Sequence, residues 1–446
     1  PKPFGRVRVL TGILCPSRKR LHLCLHSVSR RPAPEQTGEP LIGPRWARLP
    51  RRERPGTLRR MPIRFEVLRP AADGPARRGR LTFPSRADAR GPVRAERAVD
   101  TPAFMPVGTQ ATVKTLTPEE VRGAGTSILL ANTYHLYLRP GHERVRRLGG
   151  LHRFMAWDGP ILTDSGGYQV HSLSRLNRIR EDEVEFQSHL DGSRHRFSPE
   201  LATRVQIALG SDVLMAFDTM TPFPSEPARA REDVARTARW ASACAAIWRA
   251  EGHEGTALFG IQQGGVVPEL RAESTELLLA LDLPGYAIGG LAVGEPIETM
   301  LEVLEQAAPL LPAGRPRYLM GVGRPEDILE AVERGCDLFD CVLPTRNARK
   351  GSVFTARGKL VVKNATYAED ERPIDPECPC PVCRTYTRAY LRHLFAAGEI
   401  LGLRLATLHS LHYYQGLMEG IRSALAEGNW PAFKRATLER LASGPD

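Results

Sequence analysis

Ile161-Leu162-Thr163-Asp164-Ser165-Gly166-Gly167-Tyr168-Gln169 is a short strand-forming run that stops on a carboxylate and breaks into glycines. It reads as a buried β-strand that hands the chain to a polar loop. The same grammar recurs on both sides of it. Phe104–Val107 and Ser127–Leu130 precede it, and Val213–Phe217, Leu258–Ile261, Tyr286–Ile288, Tyr318–Met320 and Leu338–Cys341 follow. Helical patterns separate most of these runs. Ser198-Pro199-Glu200 places a capping serine before a proline at the first helical position, and Pro296–Leu311 and Pro325–Glu333 repeat apolar residues every three or four positions. Eight β/α units within about 240 residues fit a closed barrel better than an open sheet. The expected fold class is therefore α/β, a (β/α)8 TIM barrel.

Three segments depart from the plain repeat. Arg64–Phe83 reads as a small β-layer that plugs the bottom of the barrel. Residues 169–197 interrupt the third unit, and His189-Leu190-Asp191-Gly192-Ser193-Arg194 reads as a hairpin with an Asp-Gly turn. Residues 352–410 follow the eighth strand and carry a cysteine cluster, which marks an inserted metal-binding subdomain near the C-terminus.

Barrel enzymes build their sites where strands end, and here those ends are polar. Asp164 follows the third strand, Asp218 the fourth, Gln262 and Gln263 the fifth, Gly289 and Gly290 the sixth, and Asp340 lies in the eighth. One aspartate after a strand is commonly a helix cap. Three, together with two glutamines and paired glycines, converge on a ligand. Glycines let a flat ring lie against backbone, while carboxylates accept from ring N–H groups and amides donate to a carbonyl.

Charge and cysteine usage narrow the class. The net charge of +12 comes from residues 1–60, which hold 15 Lys+Arg against three Glu; the remainder holds 47 basic and 47 acidic side chains. A nucleic-acid partner must therefore be argued from local clusters, not from overall charge. Residues 1–60 read as a disordered basic extension upstream of a natural start at Met61, although an Arg-rich, acid-poor lead also fits an organellar transit peptide. The rest, 61–446, reads as one barrel domain. No apolar run of about 18 residues is present, so no transmembrane helix is expected. Of eight cysteines, three crowd into Cys378-x-Cys380-x2-Cys383. That spacing suits a structural zinc site in a reducing compartment rather than a disulfide framework. His393, His409 and His412 are each spaced to supply the fourth ligand.

TDSGGYQ (163–169), FGIQQGG (259–265), GGLAVGE (289–295), YLMGVGRPED (318–327) and FDCVLPTRNARKG (339–351) together resemble the tRNA-guanine transglycosylase (queuine tRNA-ribosyltransferase) family of the bacterial type. The resemblance runs from about Met61 to Trp430. It implies a pentosyltransferase of queuosine biosynthesis that replaces guanine at wobble position 34 of GUN anticodons (tRNAs for Asp, Asn, His and Tyr) with 7-aminomethyl-7-deazaguanine (preQ1). It further implies a cytoplasmic homodimer with one structural Zn2+ per subunit.

Carried over residue by residue, the resemblance makes Asp340 the nucleophile on the ribose and Asp164 the general acid/base. Substrate binding falls to Asp164, Ser165, Gly166, Gly167, Tyr168, Asp218, Gln263, Gly290, Leu291 and Met320, with Tyr168 and Met320 sandwiching the base and the Leu291 carbonyl accepting from its aminomethyl group. RNA contact falls to Gly321, Val322, Gly323, Arg324, Pro325, Glu326 and Asp327, and to Thr345, Arg346, Asn347, Ala348 and Arg349. The zinc ligands are Cys378, Cys380, Cys383 and His409. Asp218-Thr219-Met220-Thr221 departs from the family's bacterial pattern, which has Glu and Cys at 219 and 220, and this weakens the choice of base more than the reaction type. Three competing readings are weaker. A binding-only subunit has no use for both Asp164 and Asp340. A carbohydrate-cleaving barrel needs an aromatic sugar platform. The archaeal-type enzyme needs a further C-terminal RNA-binding domain.

Overall fold

The computed structural model of the chain describes residues 63–87, 93–173 and 177–445. The expectations for residues 1–60 and for Met61 lie outside these. Eight parallel strands close into a barrel: β1 (Ala103–Gly108), β2 (Leu129–Ala131), β3 (Ile161–Thr163), β4 (Val213–Met215), β5 (Ala257–Gln262), β6 (Gly285–Ile288), β7 (Arg317–Leu319) and β8 (Leu338–Cys341), with β8 pairing back onto β1. All eight overlap the runs read from the sequence. The (β/α)8 expectation holds, with strand ends displaced by one or two residues.

Strand parity sorts the side chains, because successive residues point to opposite faces. Met105, Leu130, Leu162, Met215, Phe259, Ile261, Ala287, Tyr318 and Leu338 fill the barrel interior as one buried cluster. Their neighbours Phe104, Leu129, Ile161, Leu214, Leu258, Tyr286, Leu319 and Phe339 face the surrounding helices in a second cluster. The interior is thus a packed core, as barrels of this size require.

The bottom of the barrel is sealed by a three-stranded antiparallel layer of Arg64–Pro70, Arg77–Phe83 and Arg97–Thr101. It contributes Ile63, Leu81, Phe83 and Val99 to the interior cluster. The expected plug therefore exists and includes a third strand. Arg77 pins it through a buried bidentate pair with Asp337 at 3.0 and 2.7 Å and through the carbonyls of Ala313 and Arg315. Residues 177–197 form the expected insertion, a three-stranded antiparallel sheet in which Val184–Gln187 pairs with Arg194–Phe197 around the Asp191-Gly192 turn.

Two helices follow the cysteine cluster on the way to His409 and beyond it. Arg388–Ala397 ends at Gly398 (φ +74°), and a 28-residue helix, Ile400–Glu427, begins two residues later. This long helix packs back on the barrel: the Tyr414 hydroxyl donates to the Gly323 carbonyl at 2.5 Å, and the Gln415 amide donates to the Phe104 carbonyl at 3.2 Å. It does not stop at residue 410, so the metal-binding segment and the last barrel helix share one element. No described helix is long and apolar enough to cross a membrane.

Candidate active site and metal centre

Parity also selects what reaches the mouth. Two residues beyond inward-facing Leu162, Ile261, Tyr318 and Leu338 come Asp164, Gln263, Met320 and Asp340. All four line one cavity of about 250 Å3, together with Ser165, Tyr168, Asp218, Gly290, Leu291 and Gly321. The two carboxylates expected to do the chemistry therefore share a cavity. Gly166 and Gly167 do not line it. Gly166 (φ +84°) turns the chain, and a Cβ on Gly167 would sit 2.8 Å from the Asp218 carbonyl oxygen.

Asp340 is held on one side only. Its Oδ1 accepts from the Tyr318 hydroxyl at 2.6 Å and from the Gly321 N–H at 2.9 Å, and Oδ2 accepts neither bond. Burial raises its pKa against these two donors. Tyr318 is itself pushed well above its usual value by burial and by Asp340, so it remains a donor. Gly323 is needed beside this group, because a Cβ there would fall 2.2 Å from the Cβ of Cys341.

Asp164 is anchored from the end of β2. The Asn132 amide donates to Oδ2 at 2.5 Å, the Thr133 N–H donates to Oδ1 at 2.7 Å, and the Thr133 hydroxyl donates to the Asp164 carbonyl at 2.5 Å. Burial pushes its pKa up to about 6, against those donors and with a smaller push from Asp340. A carboxyl poised there can both give and take a proton near neutrality.

Asp218 and Gln263 form the recognition edge. Asp218 accepts from the Ser165 hydroxyl at 3.0 Å and from the Gln263 amide at 2.7 Å. Gln263 Oε1 and Gln169 Oε1 are buried without a hydrogen-bond partner, and both side chains line the cavity. Gly290 (φ +66°) sits in the region that favours glycine, and a Cβ there would lie 2.4 Å from Gln263 Oε1 and push that amide out of place. Tyr168 is 57% exposed, which leaves its ring available to cover a flat ligand.

Burial also raises the Asp218 pKa to about 6. A carboxyl with a raised folded-state pKa loses stability as pH climbs from its unfolded value through its folded one. Two units are worth about 3 kcal/mol. The unfolding free energy of Asp218→Asn relative to wild type should therefore move in the variant's favour as pH rises from about 4 to about 7. Paired denaturant titrations test this, and a difference flat across that range would contradict the raised pKa.

The segments expected to touch RNA flank the mouth. In the loop after β7, Gly321 and Arg324 are exposed and Val322 and Gly323 buried; in the first turn of the helix Pro325–Glu333 that follows, Pro325 is buried and Glu326 and Asp327 are half-buried. In Leu343–Ala348, the short helix after Asp340, Arg346 is exposed and Asn347 half-buried, while Thr345 and Ala348 face inward. Arg349 is half-buried and Lys350 exposed. Outward cationic groups at this rim are therefore Arg324, Arg346 and Lys350, with Arg349 half-buried beside them.

Cys378, Cys380, Cys383 and His409 place one ligand atom each within 4.8 Å of one another, an arrangement that can hold a metal ion. His409 Nδ1 lies 3.3 Å from Cys383 Sγ and 3.6 Å from Cys380 Sγ. Its Nε2 sits 2.9 Å from the Phe354 carbonyl. That contact puts the ring proton on Nε2 and leaves the Nδ1 lone pair for a metal, as outer-shell partners of ligating histidines do. Of the three histidines that spacing allowed, His409 is the one in the cluster.

Sequence reading missed Asn132, Tyr318, Glu295 and Arg271. Glu295 accepts from the Ala292 N–H and, at 2.9 Å, from the Val293 N–H, which fixes a loop in which Ala292 has φ +58°. Local spacing of the kind that reveals helix caps does not reveal such partners, because each comes from another β/α unit or from a loop folded back on itself.

The family model described as queuine tRNA-ribosyltransferase matches residues 73–443. Proteins named queuine tRNA-ribosyltransferase from Desulforamulus reducens, Desulforudis audaxviator and Moorella thermoacetica are 53%, 55% and 55% identical to this chain. These matches cover 86%, 85% and 86% of this chain and 100%, 98% and 99% of the respective relatives. A barrel with paired acids at its mouth, a three-cysteine, one-histidine cluster after its eighth strand and identities of this size place the chain in the queuine tRNA-ribosyltransferase family.

Proposed function

We propose that the protein exchanges the wobble guanine of tRNAs bearing GUN anticodons for 7-aminomethyl-7-deazaguanine, through a covalent bond between Asp340 and the ribose. The observation that carries this reading is the shared cavity: Asp164 and Asp340 face the same space as the Asp218–Gln263 edge. Oδ2 of Asp340 bonds to C1′ of the nucleotide, the C1′–N9 bond breaks, and its electron pair leaves with guanine. A carboxylate suits this step because the reacting carbon becomes oxocarbenium-like. Asp164 gives the departing base its proton. The deazaguanine then enters, Asp164 takes the N9 proton, N9 attacks C1′, and the Asp340 carboxylate is released. Two inversions restore the original β-linkage.

The polar edge matches guanine and its deaza analogues. Asp218 accepts from the ring N–H and the 2-amino group, while the Gly290 N–H and the Gln263 amide donate to the 6-carbonyl. Tyr168 and Met320 cover the two faces. With the Ala292 N–H donating to Glu295, the trans peptide turns the Leu291 carbonyl the opposite way. This supports acceptance of an aminomethyl cation at position 7. A base must leave its stack to enter, which an anticodon loop permits at modest cost. Arg324, Arg346, Arg349 and Lys350 then meet the flanking phosphates. A cytoplasmic homodimer is carried over from the family as part of this reading.

The metal of this reading is one structural Zn2+. Tetrahedral zinc with Zn–S near 2.3 Å and Zn–N near 2.05 Å gives S···N edges of about 3.6 Å, and the two edges from His409 Nδ1, 3.3 and 3.6 Å, fit. Cys378, Cys380, Cys383 and His409 would hold it with no position left for water, so it would supply folding energy rather than reactivity. Chelation should loosen residues 352–410, detectable as lost hydrogen-exchange protection, and should weaken tRNA binding. Unchanged protection after metal removal would argue against a structural ion.

The deciding experiment incubates the protein with labelled guanine and a transcript carrying a GUN anticodon. Incorporation at the wobble position is expected; label at another position, or none, overturns the reading.

A further inference from the structure

Arg271 is a buried cation that the reaction above does not use. It lies in the helix Pro268–Leu279 and is 1% exposed. Among the described residues its guanidinium makes no ion pair. Instead its fork reaches four backbone carbonyls. Nε and Nη2 donate to Gly265 at 2.9 and 2.8 Å, Nη1 donates to Gln262 at 3.0 Å and to Gly289 at 2.7 Å, and Nη2 reaches Gly290 at 3.5 Å. The five N–H groups of an arginine are thereby all committed. Burial lowers its pKa to about 9 and Glu295 raises it, so the group stays charged at neutral pH. A buried charge of this kind is costly unless its hydrogen bonds are all satisfied, and here they are satisfied by the ends of two adjacent strands, β5 and β6.

One of these bonds matters more than the rest. The Gly289 carbonyl belongs to the same peptide unit as the Gly290 N–H, and in a trans peptide the two point in opposite directions. A cation bonded to the carbonyl withdraws electron density through the amide and strengthens the N–H as a donor. Gly290 lines the cavity and Arg271 does not. We propose that Arg271 is a positioning residue that acts through the Gly289–Gly290 peptide, aiming and polarising the Gly290 N–H toward the 6-carbonyl of the bound base. As the glycosidic bond breaks, negative charge develops on the leaving base. A preorganised donor backed by a buried cation stabilises that charge as an oxyanion hole does. The same fork clamps Gly265, so Gln263 and Gly290 form one rigid edge rather than two loose loops. The inference rests on the proposed base exchange.

Two variants and two bases test it. Arg271→Met removes charge and fork, whereas Arg271→Lys keeps the charge and loses the fork. Exchange of labelled guanine into tRNA should fall about 100-fold in Arg271→Met and about 10-fold in Arg271→Lys, with KM for tRNA changed less than about twofold. The base comparison uses 6-thioguanine, which keeps the N1–H and 2-amino edge but offers sulfur, a weak acceptor, at position 6. The Arg271→Lys penalty on guanine should shrink at least threefold for 6-thioguanine. A role confined to packing would penalise both bases alike, and equal penalties overturn the inference. Where Arg271→Met fails to fold, Arg271→Lys alone decides; if that too fails to fold, the residue is structural and the inference is lost. Absence of exchange in the wild-type protein would instead refute the base-exchange reading itself.

Discussion

Asp340→Asn is expected to lower base exchange by about 1,000-fold or more and to leave no RNA covalently attached on a denaturing gel. The amide can still accept from Tyr318 and Gly321 through its oxygen, so the local fold should persist. What is lost is the anion that bonds to C1′. Binding of the tRNA should stay within a few-fold of wild type, because the rim that meets phosphates is untouched. A trapped adduct in Asp340→Asn would reassign the nucleophile, and Asp164 would be the first alternative, since it shares the cavity.

The second large effect belongs to Asp164. Asp164→Asn should reduce exchange by about 100- to 10,000-fold while tRNA affinity is retained. The cause differs from that of Asp340→Asn: the nucleophile survives, but the departing base has no proton donor. The covalent adduct should therefore still form, slowly, when the leaving base is acidic enough to depart as an anion. Burial holds Asp164 at about 6, so the wild-type rate should change with an apparent pKa near that value and the variant's should not. Equal pH profiles for the two proteins would remove Asp164 from the proton transfer.

The barrel was readable from its strands because parallel strands buried on both faces are continuous apolar runs, and a run that ends on Asp or Gln announces the mouth. Asp164, Asp218, Gln263, Gly290 and Asp340 were legible for that reason, and all of them line one cavity. Their partners were not. Tyr318 looks like any inward core residue of β7, yet its hydroxyl orients Asp340. Arg271 sits among Glu269, Glu273 and Glu276 on a helix and reads as a solvated face, yet it is buried against carbonyls. Pattern reading registers period and residue type; it does not register which loop carbonyls a neighbouring unit leaves without donors. The same limit applied to the metal cluster. Three cysteines in six residues are a local signal, while His409 had two rivals until the Phe354 carbonyl and the fold of the long helix separated them.

The helix Ile400–Glu427 imposes a phase condition on its own sequence. His409 reaches the thiol cluster, and Tyr414, five residues on, reaches the Gly323 carbonyl. At about 100° per residue the two anchors stand roughly 140° apart around the axis. One residue added between them would rotate the second anchor by about 100° and advance it about 1.5 Å, and no rigid shift of the rod could then satisfy both ends. The same condition reaches further along the helix, to Arg422, whose guanidinium donates to the Pro102 carbonyl just before β1 at 2.8 Å.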